Sequence, residues 1–181
     1  IISRALQGRR RFHLPPRKGF LPRREPRRRL GNEPFSYVKI SEGCNNRCAY
    51  CTIPAIKGNF RSRPTAHVIN EAARTASRGA REIVLVGQDT AMYGTDIYGK
   101  PKLAQLLKKT ANALPDAWIR VMYSHPAHLT QDVLETIASF PNICPYLDIP
   151  VQHAADSALK RMGRPGSRAQ LENCLLYTSP S

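Results

Sequence analysis

Long apolar runs are missing from this chain: nothing approaches the roughly 18 consecutive apolar residues that a membrane-spanning helix needs. The Arg-rich start also lacks the apolar stretch of a secretory signal. A soluble, cytoplasmic protein with no membrane contact is expected. Acidic residues are scarce too, 13 Asp and Glu against 28 Lys and Arg, for a formal charge of +15. That excess is concentrated at one end, because eleven of the basic residues fall within residues 1–30 against Glu25 alone. The same stretch is rich in Pro and has no apolar periodicity. Residues 1–34 therefore read as a solvated linker or arm, whose charge would suit contact with RNA phosphates.

Cysteine is sparse and odd in number, five in 181 residues, which argues against a disulfide framework. Three of the five, Cys44, Cys48 and Cys51, lie within one short stretch. Such crowding fits metal ligation in a reducing compartment.

Beyond the arm, 41% hydrophobic content is enough for one ordinary core. YVKISEG (37–43) reads as a strand with the Cys-rich loop at its end, and that loop runs to about Pro64. Thr65 is a candidate cap for a helix over 66–78 that stops at Gly79. EIVLVGQ (82–88) follows as a buried strand, then a helix over 101–113, a strand over 118–124, a helix over 130–139, a strand over 145–152, and a helix starting near Asp156. Leu103, Leu106 and Leu107 are assigned to the core.

Four strands alternating with helices predict an α/β fold of parallel β-α units, open or barrel-like. Ligands in such folds are bound by the loops leaving the carboxyl ends of the strands. The first strand delivers the three cysteines to that rim, the second Gly87, Gln88, Asp89 and Thr90, the third Ser124 and His125, and the fourth Gln152 and His153.

SEGCNNRCAYC spaces its thiols Cys-x-x-x-Cys-x-x-Cys, so three thiolates can wrap three corners of a 4Fe-4S cube and leave the fourth iron open. The open iron suits a chelating ligand such as S-adenosylmethionine, whose sulfonium is cleaved on reduction. Two other readings stay open: a zinc site completed by His67, and a fully protein-ligated cluster completed by Cys144 or Cys174. His125 and His128 have weaker claims, and Lys57, Arg61 and Arg63 read either as cations near the site or as a solvated face.

The spacing, with Tyr50 before the last cysteine, resembles the radical S-adenosylmethionine superfamily. YVKISEGCNNRCAYCTIP and KGNFRSRP (57–64) resemble its methylthiotransferase branch. GQDTAMYGTDIYG (87–99) and IPVQHAADSALKRMGR (149–164) are similar to the members that modify ribosomal protein rather than tRNA adenosine. The resemblance runs over about residues 35–170 and implies a partial TIM-like (β/α) barrel of about four β-α units. It also implies a methylthio group placed on the β-carbon of an aspartate in small-subunit ribosomal protein twelve.

Carried over by position, Cys44, Cys48 and Cys51 would hold the cluster. Tyr50, Gly87, Gln88 and Asp89 would lie beside S-adenosylmethionine, with Gln152 and His153 as further candidates. An electron donor such as flavodoxin or ferredoxin is implied. The tRNA-modifying chemistry, and a non-enzymatic iron-sulfur or zinc module with a nucleic-acid-binding arm, stand as alternatives. Family members carry a second, auxiliary 4Fe-4S cluster on three more cysteines, and residues 1–34 contain none. A truncated core is therefore expected, and residues 171–181 no longer resemble the family.

Overall fold

A computed structural model describes residues 33–178. The expected arm lies outside them except for Glu33 and Pro34, as do residues 179–181. Strand β1 (Phe35–Lys39) pairs in parallel with β4 (Glu82–Val86), and β4 pairs in parallel with β5 (Trp118–Val121), giving the order β1-β4-β5. Between β1 and β4 the chain forms a separate antiparallel pair, β2 (Ser41–Glu42) with β3 (Arg61–Ser62). The cysteine loop and the short helix α1 (Ile53–Lys57) lie between those two strands.

Helix α2 (Thr65–Ala76) precedes β4. After it come a 3-10 turn (Thr90–Met92), α3 (Thr95–Tyr98), α4 (Leu103–Ala113), β5, α5 (Gln131–Ser139), α6 (Asp156–Arg161) and α7 (Arg168–Thr178). The core sits between one face of the parallel sheet and the helices α2 and α4. Val38, Ile83, Leu85, Ile119 and Val121 supply the sheet side. Val68 and Ala72 of α2 face them, with Leu103, Leu106, Leu107 and Ala111 of α4. The spacing of those α4 residues places them on one helical stripe, as a buried amphipathic helix requires. Each such large side chain taken from water stabilises the fold by about 1.5–3 kcal/mol.

Two local expectations are corrected. Thr65 is the first residue of α2 and does not cap it: Pro64 occupies the cap position, and the Thr65 hydroxyl lies 3.1 Å from the Tyr93 hydroxyl and 3.2 Å from that of Tyr98. More importantly, 145–152 is not a strand. The chain just before it bridges β5 at Ile119 and Ile143, where Ile119 N–H donates to Asn142 O and Cys144 N–H to Ile119 O. Further along, Ser124 N–H reaches Asp148 O at 3.0 Å. Pro145 and Pro150 bring no N–H to a ladder, and the chain leaving β5 turns at Tyr123, whose φ is +63°. Three of the four expected strands therefore form the sheet, and the fourth unit packs alongside as irregular chain.

Candidate metal centre and cofactor site

Gly43, just past β2, starts the cysteine loop with φ +80°. A Cβ there would run into the Asn59 carbonyl and come within 2.6 Å of Gly58 O, so only glycine fits. The loop is then held from several sides. Gly43 N–H donates to Gln88 Oε1 at 2.8 Å, Cys44 N–H to Gly58 O at 3.3 Å, and Phe60 N–H to Asn45 Oδ1 at 2.9 Å. Within the loop, Asn46 N–H points at Cys44 Sγ (3.4 Å) and Cys51 N–H donates to Cys48 O (3.0 Å).

All three cysteines are free; Cys44 and Cys48 are half-buried and Cys51 is exposed. Burial pushes the Cys44 thiol up, the Asn46 amide opposes it, and the negative charges of Asp89, Cys48 and Cys51 reinforce it. A metal would displace the Cys44 proton on binding. Among the described residues no three His, Cys, Asp or Glu side chains converge on a point that could hold one ion. Three thiolates on a 4Fe-4S cube each take a different iron.

The carboxyl ends of β4 and β5 supply the floor beside the loop. Asp89, 2% exposed, accepts from Asn46 Nδ2 at 3.3 Å and pairs with His128 Nδ1 at 2.6 Å, while its Oδ1 is buried without a partner. The His125 ring lies 4.8 Å from that of His128. His125 Nδ1 accepts from Ala127 N–H, and its Nε2 is buried and unpartnered. Burial, then the charges of Arg164 and His128, push His125 down to about 4 against the pull of Asp89, so the ring is neutral near pH 7. A Cβ on Gly87 would collide with the Ser41 hydroxyl, so this turn lies directly against the end of β2. Buried polar atoms left without partners are costly, and they mark where a polar ligand would find contacts. The donor set and these orphaned atoms fit an iron-sulfur cluster with a small polar cofactor beside it.

Gln88 meets the start of the cysteine loop and Asp89 its middle, through Asn46, which the sequence reading did not single out, while His128, one of its weaker candidates, pairs with Asp89. Gln88 spends its carbonyl oxygen on the loop backbone. Gln152 and His153 stand apart: both are exposed, Gln152 has φ +64°, and His153 Nδ1 accepts from Ala155 N–H in a local turn. Arg63 is neither a free cation nor part of a solvated face, because it is buried and paired with Glu71 at 2.6 Å. Lys57 and Lys39 both pair with the buried Glu42. Arg164 escaped the sequence reading altogether. It donates to the Tyr50 hydroxyl at 3.1 Å, and a lone Arg before Pro-Gly carries no signal that would have found it.

The profile of the Radical SAM superfamily matches residues 38–178, and the chain belongs to that family. Among individual proteins it is 47% identical over 169 residues to the ribosomal protein uS12 methylthiotransferase RimO of Moorella thermoacetica, a match covering 93% of this chain and 39% of that protein. It is 44% identical over 178 residues to the RimO of Desulforudis audaxviator, covering 98% of this chain and 39% of that protein. The chain thus spans about two-fifths of the length of these relatives. The structure of TsrM from Kitasatospora setae, a radical S-adenosylmethionine methyltransferase with cobalamin and a [4Fe-4S] cluster bound, shares the fold. Its TM-score is 0.62 at 16% identity, covering 79% of this chain and 28% of that one.

Proposed function

We propose that this chain is the radical core of a methylthiotransferase acting on an aspartate β-carbon of ribosomal protein uS12. One observation carries the reading: the Cys44, Cys48 and Cys51 loop, held by Gln88 at the carboxyl end of the parallel sheet, lies in a chain 47% identical to a RimO over almost its whole length. Under this reading the three thiolates hold a 4Fe-4S cluster. When bound, the cluster supplies the electron that cleaves S-adenosylmethionine to a 5'-deoxyadenosyl radical.

The chain's own residues position and enclose. Gln88 fixes the start of the loop, Asp89 and His128 hold Asn46 in its middle, and Tyr50 stands beside the last thiol. Asp89 Oδ1 and His125 Nε2 remain as buried polar atoms able to receive S-adenosylmethionine. A flavodoxin or ferredoxin would supply the electron, and the auxiliary cluster belongs to cysteines that this chain does not carry. The basic residues 1–34 would contact ribosomal RNA.

Anaerobic reconstitution with iron and sulfide, reduction with dithionite and an assay for 5'-deoxyadenosine test the reading. The wild-type chain is expected to form deoxyadenosine, and Cys44→Ala, Cys48→Ala and Cys51→Ala are not. A fully loaded cluster without cleavage overturns it.

A further inference from the structure

Arg164 is 9% exposed, yet among the described residues the acceptors in contact with its guanidinium are neutral: the Tyr50 hydroxyl at 3.1 Å and the Pro150 carbonyl. A buried cation without a carboxylate partner is costly unless negative charge arrives from elsewhere. A guanidinium also has more N–H donors than these two contacts use. The backbone beside it is fastened to the cysteine loop. Ala49 N–H donates to Met162 O at 2.8 Å, and Gly163, at φ +59°, lies so close that a Cβ would come within 2.8 Å of Arg47 O. Arg164 also lines a cleft with Ala127, Val151 and Leu159, edged by the exposed His153 and Pro165. The buried charge therefore stands where three segments of the rim meet: the cysteine loop, the turn after β5 and the irregular 145–152 segment.

We propose that Arg164 docks a carboxylate, and that this carboxylate is the side chain of the substrate aspartate. The inference rests on the proposed modification of an aspartate β-carbon. That carbon is bonded directly to the carboxyl carbon, so a guanidinium that grips the carboxylate through paired hydrogen bonds also fixes the carbon from which hydrogen is taken. Arginine suits the task better than lysine, because its planar fork sets the orientation of the carboxylate as well as its position. S-adenosylmethionine brings a carboxylate of its own, but access favours the substrate. The orphaned atoms assigned to the cofactor, Asp89 Oδ1 and His125 Nε2, are buried, whereas the cleft at Arg164 has an exposed edge that a polypeptide can reach. Asparagine has nearly the same shape and no charge, and it would leave the guanidinium without a counter-ion. Arg164 thus selects aspartate over asparagine.

The test uses the full chain, reconstituted without oxygen and saturated with S-adenosylmethionine, as wild type, Arg164→Met and Arg164→Lys. Calorimetric titration measures the binding of three synthetic peptides: the uS12 segment around the target aspartate, the same segment with asparagine in its place, and one of equal charge with the aspartate exchanged with its neighbour. Wild type is expected to bind the first at least about tenfold tighter than either control, as the loss of a charge-assisted hydrogen bond implies. Arg164→Met is expected to bind all three alike, and Arg164→Lys to recover part of the preference. Equal or absent binding of the three peptides to wild type overturns the docking point, a comparison that needs no variant to fold. A preference retained by Arg164→Met overturns it too. So does a loss of S-adenosylmethionine affinity in Arg164→Met as large as the loss for the peptide, since Arg164 would then serve the cofactor. A wild-type chain that forms no deoxyadenosine overturns the enzyme reading and the docking point with it; one that forms deoxyadenosine but binds the peptides alike overturns the docking point alone.

Discussion

Gly43 and Gln88, 45 positions apart, are joined by a 2.8 Å hydrogen bond from the glycine amide to the glutamine side-chain oxygen. Gly43 is buried, so nothing else readily replaces that acceptor. Gln88→Ala is expected to lower stability by about 1–3 kcal/mol, the penalty for a buried donor left unpaired. Urea unfolding measures the loss, and iron uptake should fall with it because Cys44 is the next residue. An unchanged urea midpoint would show that water replaces the side chain without penalty.

The Arg63 guanidinium donates to Glu71 at 2.6 Å and to Lys39 O at 2.8 Å, with Arg63 only 4% exposed. Removing one partner leaves an uncompensated charge in the interior. Arg63→Met is therefore expected to lose about 3–5 kcal/mol. In the double variant Arg63→Met, Glu71→Leu much of that loss should return, because no charge is then left buried. A thermodynamic cycle from four urea curves decides. Additive single losses would rule out the ion pair as the source.

His125 makes stability depend on pH in a defined direction. Its folded value, about 4, lies below its ordinary 6.5, so the unfolded chain binds more protons between those two values. Stability is then full above about pH 6.5 and falls as pH is lowered toward 4. Arg164, His128 and Asp89 are the charged groups that bear on the ring. Glu42 acts further into acid: burial pushes it up, but hydrogen bonds from Lys57 and Lys39 outweigh burial and hold it below its usual range. Its contribution is present above the ordinary value and is lost as pH falls through the depressed one. Urea midpoints for wild type and His125→Gln at pH 7.5, 6 and 5 form the test. The variant should show a flatter profile, and parallel profiles would remove His125 as the cause.

How much of this was legible depended on the kind of signal. The Cys-x-x-x-Cys-x-x-Cys spacing is local, and it placed Cys44, Cys48 and Cys51 on one loop without any knowledge of the fold. The strands at 82–86 and 118–121 were equally plain, because Ile83, Leu85, Ile119 and Val121 sit in apolar runs, whereas the single strand expected over 37–43 divides between β1 and the separate β2. Residues 145–152 have a similar apolar content and failed to form a strand. Two prolines and the turn at Tyr123 broke the ladder, a tertiary effect that β-propensity does not contain. Gln88 and Asp89 were found by position, yet their role in gripping the loop depends on which backbone faces them across the rim. Arg164 and the Arg63–Glu71 pair were invisible for the same reason: an arginine reads as solvated until its neighbours are known.

One face of the sheet is buried under α2 and α4, and the other leaves aromatic side chains exposed around a buried Val84. Through the register Phe35–Glu82–Trp118 and Tyr37–Val84–Arg120, that second face carries Phe35, Tyr37 and Trp118, the last two at 50% and 53% exposure. Phe35 and Tyr37 stack edge to face with centroids 5.7 Å apart, and Arg120 lies over Tyr146 at 5.0 Å. Exposed aromatic side chains promote self-association, although here the Glu82–Arg120 ion pair separates Phe35 and Tyr37 from Trp118. Tyr37→Thr and Trp118→Thr retain β-propensity while removing aromatic surface. They are expected to change stability by less than about 1 kcal/mol and to lower the association measured by sedimentation velocity. Ile83→Ala, on the buried face one residue away from Glu82, should lose about 2–5 kcal/mol. Trp118 is the only tryptophan, so its emission should sit at the long wavelength of a wet indole and move little on unfolding. If Tyr37→Thr proves as destabilising as Ile83→Ala, the face is covered in solution and the assignment fails.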